Sequence, residues 1–177
     1  MAEPVTPTPK KSSLDTLANI AIILVCAIAA VVLVRQHFFP PRPPGSAPQV
    51  EKGEQFDQLK TVLPAGTNRA LVVAVQPGCH YCNDSMPFYK RLIDERNSKS
   101  SPVKFIAAVP SDEAKAEENQ KFAAAGTQPD HMVKLDFASV KVPGTPTILL
   151  VDNNGKVLDF WVGKLDSDRE KEVLAEL

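Results

Sequence analysis

Residues 16–34 (TLANIAIILVCAIAAVVLV) run for 19 positions without a charge, and Asn19 is their one strongly polar side chain. As a helix this run extends roughly 28 Å at about 1.5 Å per residue, close to the hydrocarbon thickness of a bilayer. A core helix of five turns keeps a polar face, so the sequence predicts one transmembrane helix over residues 16–36. Lys10 and Lys11 resemble the charged start of a cleaved leader, and Ala27-Ile28-Ala29-Ala30 resembles a cleavage site. The apolar run continues past that point through Val31, Val32, Leu33 and Val34, which favours an uncleaved anchor. Lys10 and Lys11 on one side balance Arg35 and Arg42 on the other. A short polar tail (1–15) ahead of a larger C-terminal part then suggests a cytoplasmic N-terminus and an extracytoplasmic domain. Cys26, in the middle of the run, reads as a small apolar filler.

Beyond the run, Pro40, Pro41, Pro43, Pro44 and Pro48 predict a semi-rigid linker of polyproline type over residues 37–50. Residues 51–177 are enough for one domain with its own core and too few for two. The chain has 20 Lys and Arg against 21 Asp and Glu, a balance that argues against a nucleic-acid partner. Its three cysteines are too few for a disulfide scaffold or a four-cysteine zinc site.

Residues 51–63 carry Phe56, Leu59, Val62 and Leu63 at helical spacing, and Pro64 ends them. Residues 70–75 (ALVVAV) and 103–109 (VKFIAAV) are continuous apolar runs, as strands buried on both faces are. Residues 79–96 predict a helix with Met86, Tyr89, Leu92 and Ile93 inward, and residues 111–125 another, with Gly126 just past its end. Residues 147–151 and 156–162 flank Asp152-Asn153-Asn154-Gly155, a hairpin signal. Ser167 and Glu170 predict a capping box for a last helix with Val173, Leu174 and Leu177 inward. This order implies an α/β domain with a mixed sheet and helices on both faces.

The chemistry centres on Cys79-His80-Tyr81-Cys82, a C-x-x-C at a strand-to-helix junction. Two thiols at this spacing in a first helical turn can close a disulfide. Unpaired backbone N–H groups there favour a thiolate at Cys79, the attacking species in disulfide exchange. Cys82, one turn deeper, is placed to resolve a mixed disulfide. On the residues alone, half a zinc site completed by His80 or His131 and a purely structural disulfide stay open. Pro87 falls inside the predicted helix, where proline bends the axis. Pro146, between Thr145 and Thr147, stands directly before an apolar strand. A cis Thr145–Pro146 bond would turn the Thr145 backbone toward the dithiol and offer a short edge to an incoming chain.

With ALVVAV, the C-x-x-C, Pro87 and residues 142–165 (VPGTPTILLVDNNGKVLDFWVGKL) in this order, the chain resembles the thioredoxin superfamily. It looks most like the membrane-anchored, extracytoplasmic thiol–disulfide oxidoreductases. The resemblance implies a thioredoxin fold over 51–177, with Cys79 the exposed nucleophile, Cys82 the buried resolving thiol and Pro146 the cis-proline. It also implies a familiar position for Gly163. Gly78 stands where a Trp is usual and Val73 where a buried acid is usual, so proton removal from Cys82 falls to another group or to water. His80, when protonated, would stabilise the Cys79 thiolate and make the disulfide more oxidising, and Tyr81 would face solvent or substrate.

The expected function is dithiol–disulfide exchange on protein substrates, with Thr145 and Pro146 contacting substrate and His80 and Tyr81 modulating. No cofactor beyond the cysteine pair and no metal is expected; a membrane redox partner is. The branch resembled favours a reductase, whereas the histidine favours an oxidant or isomerase. A thiol-based metal chaperone and a non-catalytic docking module are the alternatives.

Overall fold

The computed structural model describes residues 13–38 and 49–177, and side chains over 19–33 and 49–177. Two compact units divide between Ser46 and Ala47. The first contains helix α1, Ser13–Phe38. Its described side chains are exposed, among them Ile20, Ile23, Leu24, Val25, Val31 and Leu33. Among the described residues no helix is long and apolar enough to cross a membrane. The span expected at 16–36 extends past the described side chains of α1 at both ends. The tail at 1–15 and the linker at 37–50 lie largely outside the described residues.

The second unit runs through α2 (Asp57–Val62), β1 (Arg69–Ala74), α3 (His80–Asp84), α4 (Met86–Ser98), β2 (Lys104–Val109) and α5 (Asp112–Ala124). It continues through β3 (His131–Lys134), β4 (Thr147–Asp152), β5 (Val157–Val162) and α6 (Ser167–Ala175). The five strands lie in the order β3-β2-β1-β4-β5. β1, β2 and β3 are parallel, while β4 runs antiparallel to β1 and β5 to β4.

Strand periodicity sorts the apolar residues into two cores. Leu71, Val73, Phe105, Ala107, Ile148 and Leu150 face the side covered by α4, α5 and α6, meeting Tyr89, Leu92, Phe122 and Val173. Ala70, Val72, Ile106, Ala108, Leu149 and Val151 face the other side, meeting Val50, Leu59, Leu135 and Val140. Both faces of the sheet are therefore covered, which explains why β1, β2 and β4 read as unbroken apolar runs.

Three local readings are corrected, and one strand is added. The helix expected at 51–63 contracts to α2, because the backbone N–H groups of Gly53 and Phe56 donate to Val157 O and Gly155 O at 2.7 and 3.0 Å. The helix expected at 79–96 divides at Ser85, which puts Pro87 in the first turn of α4. There a missing N–H leaves no intrahelical bond unmade, so no mid-helix bend is needed. Asp166 caps α6 in place of Ser167, its carboxylate accepting from the N–H groups of Asp168 and Arg169. Strand β3 was not anticipated; its four residues are too few for a periodic signal.

The hairpin turn at 152–155 forms as expected, with Asp152 Oδ1 accepting from the N–H groups of Asn154 and Lys156. Gly155 adopts φ +75°, and a Cβ there would stand 2.4 Å from Phe56 O and 2.6 Å from Lys60 N. Only glycine lets the turn sit against the start of α2.

Candidate functional site

β1 ends at Ala74, and Gly78 at φ +75° turns the chain into Cys79, the N-cap of α3. Left-handed backbone just before the first cysteine suits glycine, whatever else the position holds in relatives. Cys79 and Cys82 form a disulfide with a Cα–Cα distance of 5.2 Å. The Cys82 N–H donates to Cys79 Sγ at 3.1 Å. A backbone donor aimed at a sulfur is the kind of contact that favours its thiolate over its thiol. The resemblance implied an exposed nucleophile, and this is corrected in degree: Cys79 is 9% exposed and Cys82 1%. Cys79 is thus the more accessible residue of a largely covered pair.

The Thr145–Pro146 peptide bond is cis, and Thr145 O lies 3.5 Å from Cys79 Sγ across 66 residues of sequence. Two contacts fix this loop. The buried Thr147 hydroxyl donates to Gly144 O at 2.7 Å, and the Gly163 N–H donates to Pro146 O at 2.7 Å. Gly163, at φ +81°, thereby ties the segment leading into α6 to the proline loop. Cys79, Cys82, Thr145 and Pro146 are brought together at one end of the sheet.

His80 does not turn toward the sulfur. Its Nε2 lies 3.5 Å from Asp84 Oδ2, one helical turn on, and Lys164 Nζ donates to the same oxygen at 3.1 Å. The Tyr81 ring meets His80 edge-on with centroids 5.6 Å apart. The Tyr81 backbone is held by Ser85, whose hydroxyl donates to Tyr81 O at 2.7 Å. Asp84, Ser85 and Lys164 were not singled out from sequence. Asp84 sits four residues after His80, a spacing that sequence could have flagged, whereas Lys164 joins the group only through the fold.

Among the described residues no three His, Cys, Asp or Glu side chains are placed to hold a metal ion. His131, weighed as a fourth ligand, lies on β3, separated from β1 by β2. Val73, where a buried acid was sought, points into the apolar core beneath α4. Beneath the site, Tyr89 is wholly buried among Phe105 and Phe122. Burial pushes its phenol above the ordinary value.

The arrangement can perform dithiol–disulfide chemistry: two sulfurs within bonding distance, a backbone donor on one of them and a carbonyl edge alongside. A thioredoxin-like domain family model matches residues 55–177. No curated relative matches the chain. Among solved structures, the thiol:disulfide interchange protein DsbE of Chlorobium tepidum is 20% identical with a TM-score of 0.52, over 72% of this chain and 98% of that one. StoA of Bacillus subtilis is 17% identical with a TM-score of 0.49, over 62% and 84%. The first of these likenesses supports the fold, and the family match covers the cysteine pair, the proline loop and α6. The chain belongs to the thioredoxin-like family, its domain occupying residues 55–177.

Proposed function

We propose that the chain is a single-pass, membrane-anchored thiol–disulfide oxidoreductase that reduces disulfides in protein substrates. The observation that carries this reading is the Cys79–Cys82 disulfide seated against the Thr145 carbonyl. In the reduced protein the Cys79 thiolate attacks one sulfur of a substrate disulfide. The other substrate sulfur leaves as a thiolate and takes up a proton. The Cys82 thiolate then attacks Cys79 Sγ in the mixed disulfide, closing the Cys79–Cys82 bond and releasing the second substrate thiol. Two electrons pass from the dithiol to the substrate, with no cofactor beyond the cysteine pair. Thr145 and Pro146 supply the edge on which the substrate backbone rests.

His80 supports the reductive direction. Its imidazole lies against Asp84 rather than against the Cys79 sulfur, so it is not placed to favour the thiolate as an oxidant's histidine would be. The apolar surface of α1 supports a bilayer anchor, with the N-terminus cytoplasmic, the domain extracytoplasmic and a membrane redox partner returning electrons to the pair. The test is the midpoint potential of the full-length protein in a glutathione buffer. A reductase gives a value more negative than about −220 mV, and one near −120 mV overturns the direction. Failure to exchange with any disulfide overturns the activity.

A further inference from the structure

We propose that Tyr81 determines substrate specificity, its ring forming a ledge beside the disulfide that receives an apolar side chain flanking the substrate's cysteine. This rests on the oxidoreductase reading above. Apart from α1, the exposed large apolar side chains among the described residues are Tyr81, 58% exposed, and Leu158, 37% exposed. The domain thus buries or half-buries its other large apolar side chains and leaves its most open one between the two cysteines of the pair.

The ring is also held in place. Ser85 fixes the Tyr81 carbonyl through its hydroxyl and its N–H, at 2.7 and 3.1 Å. His80 meets the ring edge-on at 60°, and its Nε2 lies 3.5 Å from Asp84 Oδ2, an oxygen that Lys164 also holds. A tyrosine has two side-chain torsions, so covering such a ring costs little conformational entropy and removes apolar surface from water. Thr145 O borders Cys79 Sγ, giving the substrate backbone its edge, while Tyr81, two residues after Cys79, receives a neighbouring side chain.

The occupant is apolar rather than charged. Asp84 is the one carboxylate of α3, and Lys164 and His80 already answer it. An extended segment with leucine-like side chains beside its cysteine fits this ledge better than one with polar side chains.

The test uses pre-reduced full-length protein in single turnover with two symmetrical peptide disulfides. One peptide carries leucine on both sides of its cysteine and the other carries serine. Each rate constant for protein oxidation is normalised to the same peptide's reaction with dithiothreitol. The wild type should favour the leucine peptide by roughly three- to tenfold. Tyr81→Ala should bring that ratio close to one, and Tyr81→Phe should keep it. A wild-type ratio near one, or a ratio unchanged in Tyr81→Ala, overturns the proposal. Oxidation of the wild type by neither peptide nor hydroxyethyl disulfide overturns the oxidoreductase reading on which it rests.

Discussion

Cys79 and Cys82 share a bond but not an environment. Cys79 borders the Thr145 carbonyl and the solvent, while Cys82 lies on the buried side of α3. Under the proposed function this asymmetry makes Cys79 the attacking sulfur and Cys82 the resolving one. Cys82→Ser should therefore accumulate covalent complexes through Cys79, visible on non-reducing gels and released by dithiothreitol, whereas Cys79→Ser should accumulate few. Equal trapping by both variants would contradict the assignment. The cysteines were legible in the sequence because spacing and a preceding apolar strand are local signals. Pro146 was legible as a misfit, a proline at the head of a buried strand. The His80–Asp84–Lys164 group was not, because Lys164 reaches Asp84 across 80 residues and no local pattern encodes that meeting.

Among the elements, the three inner strands were legible because burial on both faces makes them continuously apolar. The boundaries that failed are those where a distant partner takes the backbone's hydrogen bonds. Residues 53–56 look helical in isolation, yet the amides of Gly53 and Phe56 serve the hairpin. Gly155 is the counterpart of that contact, and Gly155→Ala should destabilise the fold by more than about 2 kcal/mol, combining left-handed strain with a backbone clash. Gly126, at φ +63° with open space around it, provides the comparison: Gly126→Ala should cost about 1 kcal/mol. Urea unfolding of both variants measures the difference. At α6, Asp166→Ala should cost about 1 kcal/mol through the two amides it leaves uncapped, while Ser167→Ala should cost little.

For the whole molecule, Tyr89 ties stability to alkaline pH. Its phenol is buried and is pushed up by that burial, which the nearby Ser85 hydroxyl offsets only in part. The fold holds the neutral form after the unfolded chain has ionised. The stabilisation is therefore complete below the unfolded value of about 10 and is lost as pH rises through the higher folded value. The urea midpoint of the wild type should fall above about pH 10, and Tyr89→Phe should flatten that fall. At pH 7 the two proteins should differ by less than about 1 kcal/mol. The anchor reading belongs to this scale too: in spheroplasts, protease added outside should digest residues 51–177, and protection of the domain would contradict the orientation. A final consequence follows from the ends of the sheet. β3 offers four residues of open backbone, with His131 and Lys134 exposed at its limits. β5 has its first residue engaged by Gly53 and Glu54, and the Val162 carbonyl accepts from Arg169. Neither margin is a long, bare template for a neighbour's strand. Domains crowded side by side on a surface should therefore keep their sheets separate rather than join into fibres.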